Sequence, residues 1–292
     1  MFDPAQLAAL SAIHRLGSFD AAATELAVTP SAISQRLKAL EETTGTLLIS
    51  RGQPCTATPA GLRLVRHHDE VALLARAAAR DLPGLSPGPA ALRIAVNADS
   101  LATWVIPALA AVPGFLYDLV IDDQDVSQDW LKRGEVLAAI TAHPGPLQGC
   151  DTRPLGALRY RATASPAFAA QWFPQGPTAA ALARAPALVY SRHDRLQHRW
   201  AEAATGRRPA FPAHRLGSSQ GFVDAALAGL GWGMNPAALV EDHIAAGRLV
   251  DLAPSLPLDV ALHWQVTRLA APALAPLTAA LRASARARLI PG

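Results

Sequence analysis

Apolar and polar positions recur at helical spacing through the first part of the chain. Apolar residues three and four apart predict an amphipathic helix over 4–16. Gly17 and Ser18 then supply a helix stop and the N-cap of a second helix. A third helix is predicted to begin with Thr29 as its cap and Pro30 as its first residue. Two helices joined by so short a turn are typical of a helix-turn-helix.

The third helix is predicted to have one apolar and one polar face. Ile33, Leu37 and Leu40 share one side. Serine and glutamine on the other side would hydrogen-bond base edges in a major groove, and lysine would meet a phosphate or a guanine. A solvated polar face is the alternative, and for a helix taken alone it is the better interpretation. The residues of the polar face are Ser31, Ser34, Gln35 and Lys38.

Strand-like residues at 46–50 and 56–58 enclose a polar turn and predict a two-stranded wing. Arg51 in this wing would reach the DNA backbone or the minor groove. The turn and the wing together favour the interpretation of the third helix as a DNA-recognition helix. Acidic residues nearby keep the positive charge of this region modest.

A long helix is predicted to follow, from Pro59 to about Leu82. Its apolar positions alternate steps of four and three, which predicts self-association through a coiled-coil seam. Packing on its own domain is the alternative. Proline and glycine then crowd residues 81–89, so we expect the main domain boundary there. The predicted seam comprises Leu64, His68, Val71, Ala75, Ala78 and Leu82.

From residue 91 on, short apolar runs alternate with helical segments, which predicts an α/β domain with a mainly parallel sheet. The sequence therefore predicts a DNA-binding domain at 1–60, a dimerising linker helix and hinge at 61–90, and a ligand-binding domain at 91–292. The predicted strands are 92–96, 115–121, 136–141, 187–191 and 260–267.

Composition and charge argue against some classes of protein but do not identify a function. The formal net charge of +3 fits a nucleic-acid partner, but many enzymes share it. Cys55 and Cys150 have no histidine or cysteine nearby at ligand spacing, so neither a disulfide framework nor a zinc site is expected. The N-terminus lacks the features of a signal peptide, and Asp224 and Pro236 interrupt the apolar stretch 221–240. A cytoplasmic protein without membrane contact is expected.

Two loops carry candidate ligand-binding residues. Residues 97–104 follow a strand and open a helix, with Ser100 as the expected cap, and helix N-termini bind anions. The acidic loop 122–125 closes the next strand, so both loops would lie at the carboxyl edge of the sheet. A basic amino acid would place its carboxylate at the helix, its cation at the aspartates and its stem on Trp104. Ordinary solvated loop aspartates are the alternative. The predicted site comprises Asp99, Ser100, Thr103, Trp104, Asp123 and Asp125.

The N-terminal motifs resemble those of LysR-type transcriptional regulators. They lie within residues 10–61 and include Gly17-Ser18-Phe19, Pro30-Ser31-Ala32-Ile33-Ser34 and Thr58-Pro59-Ala60-Gly61. The resemblance implies a winged helix-turn-helix, an antiparallel dimer through the long helix, and regulation through contact with RNA polymerase. It places Pro30, Ser31, Ser34, Gln35 and Arg51 at or near the DNA.

The family fold implies a C-terminal domain of two Rossmann-like subdomains joined by paired crossovers, like a periplasmic binding protein. Here the crossovers would fall near Tyr160 and His263, with subdomain I at 91–160 and 264–292 and subdomain II at 161–263. An effector bound between the subdomains would alter their closure and re-angle the DNA-binding domains of a homodimer or homotetramer.

Within this family, several stretches are similar to the ArgP/LysG regulators. The similarity implies a response to lysine or arginine and control of an exporter of basic amino acids; a different small effector is the alternative. Residues 217–222 resemble a segment that opens a helix in subdomain II, which implies that Ser218 or Ser219 closes over the effector. The stretches are Asn97-Ala98-Asp99-Ser100-Leu101-Ala102-Thr103-Trp104, Arg133-Gly134-Glu135-Val136 and Ala164-Ser165-Pro166-Ala167-Phe168-Ala169-Ala170.

Enzymes and free-standing small-molecule-binding proteins are the rival classes. The sequence has no P-loop, no Gly-x-Gly-x-x-Gly after a strand, no nucleophile elbow and no His-Glu-x-x-His. His193 and His198 lack obvious further metal ligands. We therefore expect no catalytic residues, no cofactor and no metal, and the expected partners are double-stranded DNA, a basic amino acid, RNA polymerase and further copies of the chain.

Overall fold

The N-terminal unit consists of three helices, a two-stranded antiparallel wing and the start of a long helix. The computed structural model describes residues 2–80, 82, 88, 90–122, 127–145 and 147–291. The elements of this unit are α1 (Pro4–Leu16), α2 (Phe19–Glu25), α3 (Pro30–Thr44), β1 (Ile49–Ser50), β2 (Thr56–Ala57) and α4 (Pro59–Arg80). Ser18 and Thr29 cap α2 and α3 by accepting hydrogen bonds from backbone N–H groups, and Gly17 ends α1 with a φ of 68°. The predicted helix starts and the wing are confirmed.

Helix α4 connects the two domains, and the apolar residues of its predicted seam and face lie in three different environments. Leu64 packs on the N-terminal core, and Leu73 is buried in the core of the C-terminal domain. The rest of the predicted seam is mostly exposed, with Val71 at 48% and Leu82 at 54%. The C-terminal part of the seam is therefore uncovered in a single chain, whereas Leu64 packs on its own domain, against the prediction.

The C-terminal domain begins with a parallel βαβ arrangement. Its first elements are β3 (Ala90–Asn97), α5 (Ala98–Ser100), a π-helical turn (Leu101–Val105), α6 (Ile106–Ala110), β4 (Phe115–Asp122), α7 (Ser127–Arg133), β5 (Ala138–Thr141) and β6 (Cys150–Ala164). The remaining elements are α8 (Pro166–Trp172), α9 (Ala179–Leu182), β7 (Ala187–Val189), α10 (Leu196–Thr205), β8 (Ala213–Arg215), α11 (Ser219–Leu227), β9 (Gly233–Pro236), α12 (Ala237–Ala245), β10 (Val250–Asp251), β11 (Leu258–Thr267) and α13 (Ala275–Arg288).

Two long antiparallel strands join the subdomains. The main sheet runs in the order β10-β6-β11-β5-β3-β4, and β9 pairs with the far part of β6. Strands β4, β3 and β5 are parallel, as predicted, but β6 and β11 pair antiparallel with each other. Tyr160 and His263, where the crossovers were expected, lie within these two strands. Helix α13 returns to subdomain I, where the Trp264 indole donates a hydrogen bond to Thr278 at 3.0 Å.

A cleft lies between the DNA-binding unit and subdomain I. Its walls include Ser11 and His14 of α1, Asp69 of α4, and Arg93 and Asp118 of strands β3 and β4. Arg93 and Asp118 form a salt bridge of 3.2 Å, and burial raises the pKa of Asp69 to about 6. No helix in the described ranges combines the length and apolarity of a membrane span.

Gly61, in the first turn of α4, provides a test of this packing. A Cβ at this position would lie 2.1 Å from the carbonyl oxygen of Leu48, a backbone atom that cannot yield without moving the wing. We predict that Gly61→Ala lowers the free energy of unfolding by about 1–3 kcal/mol, measured by urea unfolding. Gly217→Ala is the matched control, because a Cβ there meets no atom within 4 Å. Equal loss in both variants would contradict this packing.

Candidate functional site

The polar face of α3 is exposed. Ile33, Leu37 and Leu40 are buried in the N-terminal core, which fixes the rotation of the helix about its axis. The separation of faces predicted from the sequence is therefore confirmed, while contact of this face with DNA stays a prediction. The exposed residues are Pro30, Ser31, Ser34, Gln35 and Lys38.

Two cationic side chains lie on or beside this face. The guanidinium of Arg51 lies 5.6 Å from the centroid of the Phe19 ring, a cation–π contact that holds the wing arginine beside α2. Lys38 Nζ is 3.7 Å from a carboxylate oxygen of Glu42. Such an exposed pair contributes little stability, so Lys38 is available to a phosphate at small cost.

A second candidate site is a cavity between the two subdomains. Strands β3 and β4 lead into it at their carboxyl ends, and α11, β9 and the loop after β7 close it from subdomain II. Its enclosed part measures about 20 Å³, which is room for about one water molecule. The lining residues are Ala98, Asp99, Asp122, Tyr190, Asp194, Leu196, Ser219, Phe222, Met234, Asn235 and Pro236.

Asp99 links the two sides of this cavity. The Tyr160 hydroxyl donates to one of its carboxylate oxygens at 2.8 Å, and the Ser219 hydroxyl donates to the other at 2.5 Å. Tyr160 lies on a strand that joins the subdomains, and Ser219 begins α11 in subdomain II. The hydrogen bond from Ser219 therefore holds the subdomains together across the cavity.

Two further carboxylates line the cavity. Asp194 is 5% exposed, and its oxygens accept hydrogen bonds of 2.9 Å from the backbone N–H groups of Tyr190 and Leu196. These bonds fix the loop between β7 and α10. Asp122 accepts a hydrogen bond of 3.0 Å from the indole of Trp130. Each carboxylate thus has a neutral partner that fixes its position.

The electrostatics of the cavity favour a positive guest. Burial raises the pKa of the Asp99 carboxyl; hydrogen bonds from Ser219 and Tyr160 oppose this rise, and the charge of Asp194 adds to it. Burial also raises the pKa of Asp194. Among the described lining residues there is no lysine, arginine or histidine. A bound cation would therefore stabilise the ionised forms of Asp99 and Asp194.

The structure places the predicted ligand residues in different environments. Asp99 lines the cavity, whereas Trp104 is completely buried in the hydrophobic core and is not among the lining residues, so its predicted contact with a ligand stem is wrong. Asn97, not Ser100, precedes the first helical residue, so the predicted cap is also wrong. Thr103 donates to the Asp99 carbonyl at 2.6 Å. Asp123 and Asp125 lie outside the described residues.

The serine pair at the start of α11 divides its roles. Ser218 is exposed and caps the helix by accepting a hydrogen bond of 3.1 Å from the Gly221 N–H. Its neighbour Ser219 lines the cavity instead. Sequence reasoning also missed Asp194 and Asn235. An aspartate just before a helix has the pattern of an ordinary capping residue, so no signal distinguished Asp194.

Within the described ranges, no three histidine, cysteine, aspartate or glutamate side chains are grouped to hold a metal ion. His193 accepts a hydrogen bond of 3.0 Å from Arg192, and the His198 ring stacks on Phe211. The two histidines thus interact with separate neighbours.

Two family profiles match the two domains of the chain. The family profile described as "LysR substrate binding domain" matches residues 88–286, and the one described as "Bacterial regulatory helix-turn-helix protein, lysR family" matches residues 4–62. The HTH-type transcriptional regulator LysG of Mycobacterium tuberculosis is 43% identical over 284 residues, covering 97% of this chain and 93% of the relative.

Two solved structures share the whole architecture. The crystal structure of ArgP from Mycobacterium tuberculosis is 42% identical, with a TM-score of 0.82 and complete coverage of both chains (100%). Full-length LysG from Corynebacterium glutamicum with bound effector Arg is 34% identical, with a TM-score of 0.70, covering 99% of this chain and 100% of that protein. By the family profiles and by relatives of this identity and coverage, the chain belongs to the LysR family of transcriptional regulators.

Proposed function

We propose that this LysR-family regulator responds to a basic amino acid, arginine or lysine, bound in the cavity between its subdomains. The proposal rests on one observation: Asp99 and Asp194 line the same cavity, and no lysine, arginine or histidine is among its described lining residues. The corynebacterial LysG structure with bound Arg supports the same class of effector.

Polar groups around the cavity suit a ligand with many N–H donors. The Asn235 amide nitrogen donates to Thr163 at 2.9 Å, but its carbonyl oxygen is buried and has no partner among the described residues. An unpaired buried acceptor carries a free-energy cost, and a ligand N–H that donates a hydrogen bond to it would remove this cost. A guanidinium or ammonium would supply donors to this oxygen and to the carboxylates.

The effector carboxylate needs a different environment. The first residues of two helical segments line the cavity, Ala98 of α5 and Ser219 of α11. Backbone N–H groups at the start of a helix bind anions by donating hydrogen bonds to them. We place the effector carboxylate at these N–H groups and its cationic side chain toward the aspartates.

Binding requires the subdomains to separate or to rearrange their side chains. The enclosed volume of about 20 Å³ holds about one water molecule, far less than an amino acid occupies. A ligand cation at Asp99 would compete with the hydrogen bond from Ser219. Effector binding therefore shifts the balance between subdomain arrangements, since it stabilises the arrangement that admits it.

The remaining partners follow from the same domain arrangement. We propose that Pro30, Ser31, Ser34, Gln35, Lys38 and Arg51 contact double-stranded DNA. The exposed apolar side chains Val71 of α4 and Leu82 beyond its end would be covered in a homodimer or in a homotetramer built from it. The regulator would act in the cytoplasm, change its contact with RNA polymerase when the effector binds, and control a gene for the export of basic amino acids.

Removal of single carboxylate charges tests the effector site. We predict that Asp99→Asn and Asp194→Asn each weaken arginine binding at least about 30-fold, because each removes a desolvated charge partner. Isothermal titration calorimetry with arginine and lysine measures the effect. Asp242→Asn, on the exposed face of α12, is the control and should bind as the unaltered protein does. Unchanged affinity in both cavity variants, with the fold intact by circular dichroism, would refute the site.

Arginine binding is predicted to depend on pH through Asp99. Because its pKa is raised in the free protein, a cationic ligand must displace a proton wherever Asp99 is protonated. Affinity therefore weakens as pH falls below this raised pKa, at pH values above the usual range for aspartate, and binding releases protons. Calorimetry in buffers of different ionisation enthalpy measures the release. Proton uptake, or an equal pH dependence in Asp99→Asn, would contradict the assignment.

Two substitutions on α3 separate base recognition from phosphate contact. We predict that Gln35→Ala costs about 1–3 kcal/mol for the operator and relaxes discrimination at one base pair. Lys38→Gln should weaken all DNA sequences alike and reduce the salt slope by about 1. Fluorescence anisotropy with operator and scrambled duplexes measures both. Thr43→Ala, exposed near the end of α3, is the control; identical effects of all three variants would contradict the proposed groove contact.

A further inference from the structure

One segment of subdomain II carries a cluster of positive charge that the DNA-binding domain lacks. Residues 1–62 hold five acidic and four basic side chains, whereas residues 192–215 hold six arginines and two acidic residues. The segment thus has four more positive than negative charges, although the whole chain has a net charge of only +3. The six residues, together the arginine surface, are Arg192, Arg195, Arg199, Arg207, Arg208 and Arg215.

Helix α10 and the loop that follows it form one part of this surface. The buried side of α10 includes Leu196 and Trp200, which leaves Arg195 and Arg199 exposed. The His198 ring stacks on Phe211 with centroids 4.4 Å apart. This contact holds the loop that carries Arg207 and Arg208 against α10.

Electrostatics and strand pairing extend the same surface. Burial and the positive charges of Arg195 and Arg208 lower the pKa of His198, which shows that both arginines lie near it. All three residues of β8 are exposed, including Arg215. This strand pairs with β7, and the loop that leaves β7 carries Arg192. The arginines therefore share one region of subdomain II.

The two acidic residues of the segment offset little of this charge. Asp194 is 5% exposed and accepts two backbone hydrogen bonds beside the effector cavity. Glu202 pairs with Arg208 at 2.6 Å. In the part of the chain that the structure describes, the other five arginines form no salt bridge. Clustered like charges repel one another unless an anion lies between them, so this surface favours an anionic partner.

The DNA-binding domain has little charge to attract DNA. Arg15 is bound to Glu25, and Lys38 lies beside Glu42. Lysine and arginine at phosphates release counterions, and this release supplies the sequence-independent part of DNA affinity. A domain with one more acidic than basic side chain contributes little of it.

We propose that the arginine surface binds the phosphate backbone of duplex DNA that flanks the operator. Subdomain II then provides electrostatic affinity, while α3 provides sequence discrimination. The flanking duplex would bend toward subdomain II, at an elastic cost that the added phosphate contacts offset. The inference rests on the proposed DNA contact of α3, because that contact brings the flanks close.

The test compares two DNA fragments by fluorescence anisotropy at several salt concentrations. One fragment contains only the operator core, and the other extends it by about two helical turns, ~20 base pairs, on each side. The triple variant R199Q/R207Q/R215Q is expected to reduce the slope of log affinity against log salt by about 2–3 on the long fragment. It should bind the core fragment as the unaltered protein does.

Two further variants make the result specific. R282Q/R286Q/R288Q removes the same charge from exposed positions of α13 and should leave both fragments unaffected. R199K/R207K/R215K keeps the charge and should retain the long-fragment slope. Unaltered core binding by the glutamine variant also shows that it is folded.

Several outcomes overturn the inference. An unchanged slope for the glutamine variant on the long fragment would show that the arginine surface does not contact DNA. If that variant also lost activation with purified polymerase, the partner of the surface would be an acidic protein instead. An equal loss of slope in the α13 variant would show that the effect depends on the net charge of the protein and not on the arginine surface. If the unaltered protein binds neither fragment, the proposed DNA-binding function fails as well, which distinguishes that failure from the others.

Discussion

The hydrogen bond between Ser219 and Asp99 constrains the ligand-binding half of the molecule. It joins residues 120 positions apart in the chain and spans the cavity between the subdomains. The acceptor is a carboxylate in a cavity where the described lining offers no cation. Burial disfavours its ionised form, whereas the hydrogen bonds from Ser219 and Tyr160 favour that form. In the proposed function, the positive end of a basic amino acid would stabilise the ionised carboxylate and compete with Ser219 for it, which would give the ligand a differential affinity for the two arrangements.

The same strands that end at the cavity also reach the DNA-binding unit. Arg93 of β3 lies opposite Asp118 of β4 in the register of the two strands, and this pair lines the cleft under α1 and α4. Further along, β4 ends at Asp122 and β3 leads directly to Asp99, both at the cavity. In the proposed function, a change in the cavity would act on two paired strands that also line the cleft at the DNA-binding unit.

The sequence predicted those parts of the fold that depend on local signals. Thr29 and Pro30 define the start of α3 because capping and proline geometry act within one turn. Strand β6 was not predicted, since Pro154 and Gly156 interrupt its pattern and its pairing with β11 joins distant parts of the chain. The antiparallel crossing was expected only from the family resemblance. Local patterns therefore predicted the type of each domain. The connection between the subdomains depends on pairing between distant strands, which local patterns do not predict.

The candidate sites show the same division. The polar face of α3 followed from helical periodicity. Asp99 was predicted because it directly follows a strand, but Asp194 approaches it only through the folding of subdomain II. Trp104 lies in a π-helical turn and is buried in the core, and the sequence carries no signal for such a turn. For a site built from two subdomains, local sequence patterns thus predict only some of the residues.

A crystal structure of the chain grown with arginine would test the central claim most directly. The account predicts a guanidinium or amino nitrogen within hydrogen-bonding distance of Asp99, with the Ser219 hydroxyl no longer donating to that carboxylate. Arginine bound elsewhere, with the hydrogen bonds from Tyr160 and Ser219 to Asp99 both intact, would contradict it.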